Sequence, residues 1–92
     1  ELYQDQEKFA MAEPLYKRAL AIDEKTLGPN DPNFGISLSN LALVEENLGN
    51  YAAAETLYRR ALAIFEKVFE PENPRIKATR DELAAVLRKM GR

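Results

Sequence analysis

The chain has 92 residues, 46% hydrophobic and 30% charged, with a net charge of -2, an ordinary globular composition with no electrostatic bias toward nucleic acid or an anionic membrane. Cys and His are both absent, which removes disulfides, thiolate or imidazole metal sites and the usual nucleophile and general-base pairings, so no cofactor is expected. No signal-peptide pattern or long apolar run occurs, as expected of a cytoplasmic chain, and a start at Glu1 without an initiator Met reads as a piece of a longer polypeptide.

Glu1 to Gln6 reads as the tail of a truncated helix, because Leu2-Tyr3 takes the place that Val44-Glu45 takes one repeat later. The first full helix is expected over Phe9 to Leu27, where apolar residues recur at helical spacing. Gly28 suits its C-terminal cap, and Pro14 falls within about a turn of its start, where backbone N–H groups lack intrahelical partners. Asp31 before Pro32 is an N-cap followed by proline at the first helical position, opening a second helix over Pro32 to Leu48. Gly49 and Asn50 leave only a short turn, so a third helix over Tyr51 to Phe69 must fold back antiparallel on the second. Asn73 and Pro74 repeat the earlier start and open a fourth helix running to Met90. No segment shows strand alternation.

The decapeptide EPLYKRALAI at Glu13 to Ile22 returns as ETLYRRALAI at Glu55 to Ile64, 42 residues later. Superposing 9–50 on 51–92 gives about 18 identities, most of them between Ala10 and Lys25, far beyond chance. Ala12/Ala54 and Ala19/Ala61 mark close helix approach, while Leu15/Leu57, Tyr16/Tyr58 and Leu20/Leu62 supply a shared apolar stripe. Two-helix units at a fixed period stack into a solenoid in which each unit touches only its neighbours. Glu45 departs from the pattern, standing where Tyr3 and Leu87 stand, and is read as a carboxylate reaching solvent near a helix end. Lys17-Arg18 and Arg59-Arg60 read as solvated outer faces, with Glu13 and Glu55 one turn before them.

Hairpins carrying Leu41-Ala42, then Gly49-x-Tyr51, Ala54, Tyr58 and Ala61 resemble tetratricopeptide repeats. AEPLYKRALAIDEKTLGPNDP at Ala12 to Pro32 is similar to the 42-residue variety found in kinesin light chains and many bacterial signalling proteins. The resemblance spans essentially the whole chain. It implies an all-α, right-handed superhelical stack of antiparallel helical hairpins. Residues 1–92 would form a single array, with 1–6 a remnant of helix A, 9–27 a helix B, 32–69 a complete repeat and 74–90 a C-terminal capping helix. It also implies a non-catalytic interaction module that holds a short peptide segment in a concave groove.

On the second helix Ile36, Ser39, Asn40, Leu43 and Asn47 share one face by their spacing, and the resemblance puts that face on the concave wall. An Asn amide pairs with both N–H and C=O of an extended peptide, while Ile and Leu offer apolar contact. The segment LSNLA stands where kinesin light chains carry LNNLA, so Asn40 is the matching residue. On the fourth helix the same face offers Asp81, Glu82 and Ala85, flanked by Ala78 and Lys89. Glu82 stands where repeats that clamp a C-terminal carboxylate place Arg, which disfavours ligands of that kind. The runner-up reading is an internal regulatory or self-assembly segment of a larger signalling ATPase or enzyme. Lacking a full partner, helix 9–27 is expected to expose some of Phe9, Leu15, Tyr16 and Leu20 and to hide them in a homodimer. Lys77, Arg80, Asp81, Arg88 and Lys89 make the last helix polar enough to serve as a cap.

Overall fold

Two side-chain caps open two of the helices and two left-handed glycines follow the ends of two. The computed structural model describes residues 2–91, with side chains from Glu7 onward. Four helices follow in order: α1 (Leu2–Thr26), α2 (Pro32–Asn47), α3 (Tyr51–Val68) and α4 (Pro74–Lys89). No strand occurs among the described residues. Asp31 Oδ1 accepts the Asn33 N–H at 2.8 Å, and Asn73 Oδ1 accepts the Arg75 N–H at 2.8 Å, each with proline opening the helix. At the end of α2 the Asn50 N–H returns to the Glu45 carbonyl at 2.8 Å and the Gly49 N–H to the Glu46 carbonyl at 3.0 Å. That pairing requires a left-handed residue, and Gly49 supplies it with φ of 85°. Its repeat equivalent Gly91 is also left-handed, with φ of 83°, and its N–H returns to the Arg88 carbonyl at 3.0 Å. The turn at Gly49 and Asn50 folds α3 back along α2 as the sequence requires.

The first helix differs from its expected form. α1 runs unbroken from Leu2, so the anticipated 1–6 segment is not a separate element, and Glu1 lies outside the described residues. The reason is local: Glu7 and Lys8 occupy the positions that Gly49 and Asn50 hold one repeat later, and neither breaks a helix. Pro14 therefore lies inside the helix rather than in its first turn, and without an N–H it leaves the Ala10 carbonyl without its usual partner. Gly28 does not act as a left-handed cap either. Its φ is not positive; α1 ends at Thr26, and the Gly28 carbonyl accepts the Asp31 N–H at 3.1 Å in the turn.

Each helix packs chiefly on its neighbours in sequence, giving a slab of 38 × 31 × 19 Å. One core cluster joins Phe34 and Leu38 of α2, Ala61, Ile64 and Phe65 of α3, and Ile76 of α4. A second joins Ala42, Ala54, Tyr58, Leu83 and Val86 across the same three helices. The fully buried Ala42, Ala54 and Ala61 let the backbones come close, the role their recurrence pointed to. Leu20 packs against the first cluster, so it is not part of α1's uncovered surface, and Phe9 is half-buried. Leu15 and Tyr16 are exposed, together with Met11 and Ile22.

Glu45 is buried, not solvent-reaching, at 4% exposure. It sits under α1, where Lys17 Nζ lies 3.9 Å from its Oε2, and Asn50 Nδ2 donates to its Oε1 at 2.7 Å. Burial pushes its carboxyl above the usual range, and a hydrogen bond with Glu13 adds to the shift against the opposing Asn50 amide and Lys17 charge. Glu13 moves the other way, held low by that hydrogen bond from Glu45 and by Lys17. Glu45 is thus the partner that keeps the proton. A carboxyl with a higher pKa in the folded than in the unfolded state favours folding at low pH and loses that contribution as pH rises through the folded value. Glu45→Gln keeps an acceptor for Asn50 and abolishes the ionisation. It is expected to raise Tm at neutral pH, with the gain disappearing near about pH 3, where Glu45 is protonated in both the folded and the unfolded chain. Thermal melts of the two proteins at both pH values check this.

Candidate functional site

Successive helical residues are turned by about 100°, and α2 is covered by α1, α3 and α4 on three sides, so a single stripe remains open. Asn40, Leu43 and Asn47 lie on it and are exposed, Leu43 at 45%, with Ile36 at its edge half-buried against the first core cluster. The Asn40 amide makes no hydrogen bond to another described residue, whereas Asn47 Nδ2 donates to the Leu43 carbonyl at 2.8 Å. Ser39 is half-buried. Its Oγ is sealed from solvent and has no hydrogen-bond partner among the described residues, so in this conformation it is wall, not an available donor.

On α4, Glu82 and Ala85 are half-buried, and Glu82 lies within electrostatic reach of Glu46 on α2. Asp81 is turned outward and pairs with Lys77 at 2.9 Å, with its side chain 66% exposed. Ile36, Asn40, Leu43 and Asn47 thus share the open side of α2, Glu82 and Ala85 are half-buried on α4, and Asp81 is exposed. An open cleft of about 440 Å³ runs along the start of α4, lined by Asn73, Pro74, Arg75, Ala78, Thr79 and Glu82.

Glu46, which no repeat position announces, ties the two walls together. Tyr58 Oη donates to its Oε1 at 3.1 Å and Lys89 Nζ donates to its Oε2 at 2.7 Å. Lys89 also lies over the Tyr51 ring, 5.8 Å from the centroid. Glu46 raises the Lys89 pKa, and burial, with Glu82 and Glu46 behind it, pushes the Tyr58 phenol up, so Tyr58 stays a neutral donor. Burial also raises the Glu82 carboxyl, with Glu46 adding to the shift and Arg75 opposing it. Tyr58 was legible as a recurrent core aromatic, but its phenol partner was not: Gln4 and Arg88 stand at the positions equivalent to Glu46. Chemically the surface is one of amide and aliphatic contact beside a single acidic spot, and no group of three metal-ligating side chains forms among the described residues.

Residues 34–92 match a family model described as tetratricopeptide repeat, and residues 1–33 match a second model of the same description, both of the kinesin-light-chain-like type. No curated protein matches the chain. Joined to a helical hairpin written at a 42-residue period, those matches make the chain a member of the tetratricopeptide-repeat family.

Proposed function

We propose that this chain holds a short extended segment of another protein along the open stripe of α2 and the adjoining wall of α4, without catalysing a reaction. Tetratricopeptide repeats are generally protein-interaction modules and typically non-catalytic scaffolds, so the coarse activity follows from the family. The observation that carries the finer reading is the open stripe itself: Asn40 and Leu43 present an unengaged amide beside an exposed aliphatic side chain, on a helix otherwise enclosed. Asn40 would pair with the peptide backbone and Leu43 with an apolar side chain, while Glu82 favours a basic residue at the α4 end.

Selection from a displayed library of random short peptides tests this. Two neighbouring helices at about 8 to 10 Å offer room for roughly six extended residues, so selected peptides should bind with micromolar Kd. Asn40→Ala should weaken them by about 1 to 3 kcal/mol, since the peptide groups it meets are left unpaired. Peptides whose affinity ignores both Asn40→Ala and Leu43→Asp would overturn the site. The exposed apolar face of α1 favours a second reading, self-assembly, which uses different residues and is compatible with the first.

A further inference from the structure

Met11, Leu15, Tyr16 and Ile22 are 73%, 64%, 40% and 54% exposed, and they lie along one side of α1 with Ala12 and Ala19. Their repeat equivalents in α3 show what such a side is built to receive. Tyr58, Ile64, Ala54 and Ala61 are buried, and Leu57 is half-buried, in the clusters that α3 forms with α2 and α4, whereas Ala53, the equivalent of Met11, is exposed. The open side of α1 corresponds to the part of α3 covered by α2, so it fits an α2-type helix. The chain has one other helix of that type: α4 is the repeat equivalent of α2.

The detailed fit between α4 and α1 is reciprocal. In α2, Gly35 has no Cβ because one would stand 2.7 Å from Phe65 Cε1. α4 carries Lys77 at the Gly35 position and Arg80 at the Leu38 position, so it could not seat against a phenylalanine. α1 carries Asp23 at the Phe65 position, smaller than Phe and opposite in charge to both basic residues. Each change alone would spoil the α2–α3 type of contact; together they replace an apolar contact with a charged one. Ala84 keeps the small residue of Ala42, and Ala12 and Ala19 keep those of Ala54 and Ala61, so the backbones can approach equally closely. Arg80 now engages Glu66 through one Nη at 2.8 Å, and Asp23 accepts from Ser37 through Oδ2, which leaves further donors and the second carboxylate oxygen for a new pair.

We propose that copies of this chain stack head to tail, α4 of one copy docking on the open side of α1 of the next. Such a contact is heterologous, joining two different surfaces, so it does not close at a dimer but grows with concentration. Its charged centre makes it weaken with salt.

Sedimentation velocity on the 92-residue chain at low salt tests the arrangement. The weight-average mass should rise with concentration past that of a dimer. Asp23→Arg and Arg80→Asp should each weaken association by about tenfold or more, a factor equal to 1.4 kcal/mol. Mixing the two variants should restore growth, because each then meets the opposite charge at both of its ends. If Asp23→Arg fails to fold, Lys77→Glu combined with Arg80→Asp on the exposed side of α4, and Leu15→Glu on that of α1, report on the two surfaces separately, and all must keep wild-type helical circular dichroism. A wild-type chain that stays monomeric, a mass that halts at the dimer and is indifferent to Arg80→Asp, as in a two-fold α1 to α1 pairing, or a mixture that does not recover would each overturn the proposal.

Discussion

Phe65→Ala is expected to lower stability by about 3 to 5 kcal/mol, the usual range for deleting a buried aromatic ring. The ring is fully buried and serves three helices at once. It leans on the Gly35 backbone of α2, stacks on Phe69 with centroids 5.7 Å apart, and lies under the Arg75 guanidinium of α4 at 5.7 Å. The Gly35 backbone, held in α2, cannot collapse into the space, so the cavity term should be appreciable. A Tm drop of more than about 12 °C follows for a domain of this size. A thermal melt showing a drop of only a few degrees would mean that the site relaxes, contrary to the packing described.

Gly35→Val should also destabilise, by about 1 to 3 kcal/mol, although replacing a helix-interior glycine at an open site is ordinarily favourable. The new Cβ would meet Phe65 at 2.7 Å from Cε1, 3.1 Å from Cζ and 3.3 Å from Cδ1. Phe69 and Arg75 close off the ring's escape on either side. Shrinking the obstacle tests the cause. In a Phe65→Leu background the penalty of Gly35→Val should be reduced, giving a coupling energy of about 0.5 to 3 kcal/mol between contacting residues. Chemical denaturation of the four proteins measures it. Equal penalties in both backgrounds would show that the ring is not what excludes a side chain at position 35.

The features that could be read from the chain are those whose cause is local. Asp31 and Asn73 cap the helices they precede through bonds spanning two residues, and Gly49 takes its left-handed turn for reasons contained in the hairpin. The open stripe at Asn40, Leu43 and Asn47 follows from helical period once the apolar positions are assigned. Features with a distant cause were not legible. Glu45 is covered by α1 residues such as Lys17, and nothing next to it in sequence signals that lid. Gly35 is a glycine because of a ring thirty positions later. At the start of α1 the plain helix preference of Glu7 and Lys8 prevails over the repeat pattern.

Glu46–Lys89 joins α2 to α4, but among the described residues Ser37–Asp23, Lys17–Glu45, Tyr58–Glu46 and Arg80–Glu66 each join a helix to the one before or after it. Forming such contacts closes only short loops, which lowers the entropy barrier to folding and places chains of this topology among those that fold in microseconds to milliseconds. Nucleation is favoured at the α2–α3 hairpin, which supplies most of both apolar clusters across the shortest connection. Opening should begin elsewhere. α1 is held along one side by α2, so its amides should exchange with solvent deuterium ahead of those in α3, which is clasped on both sides, and the rates would form a gradient along the stack.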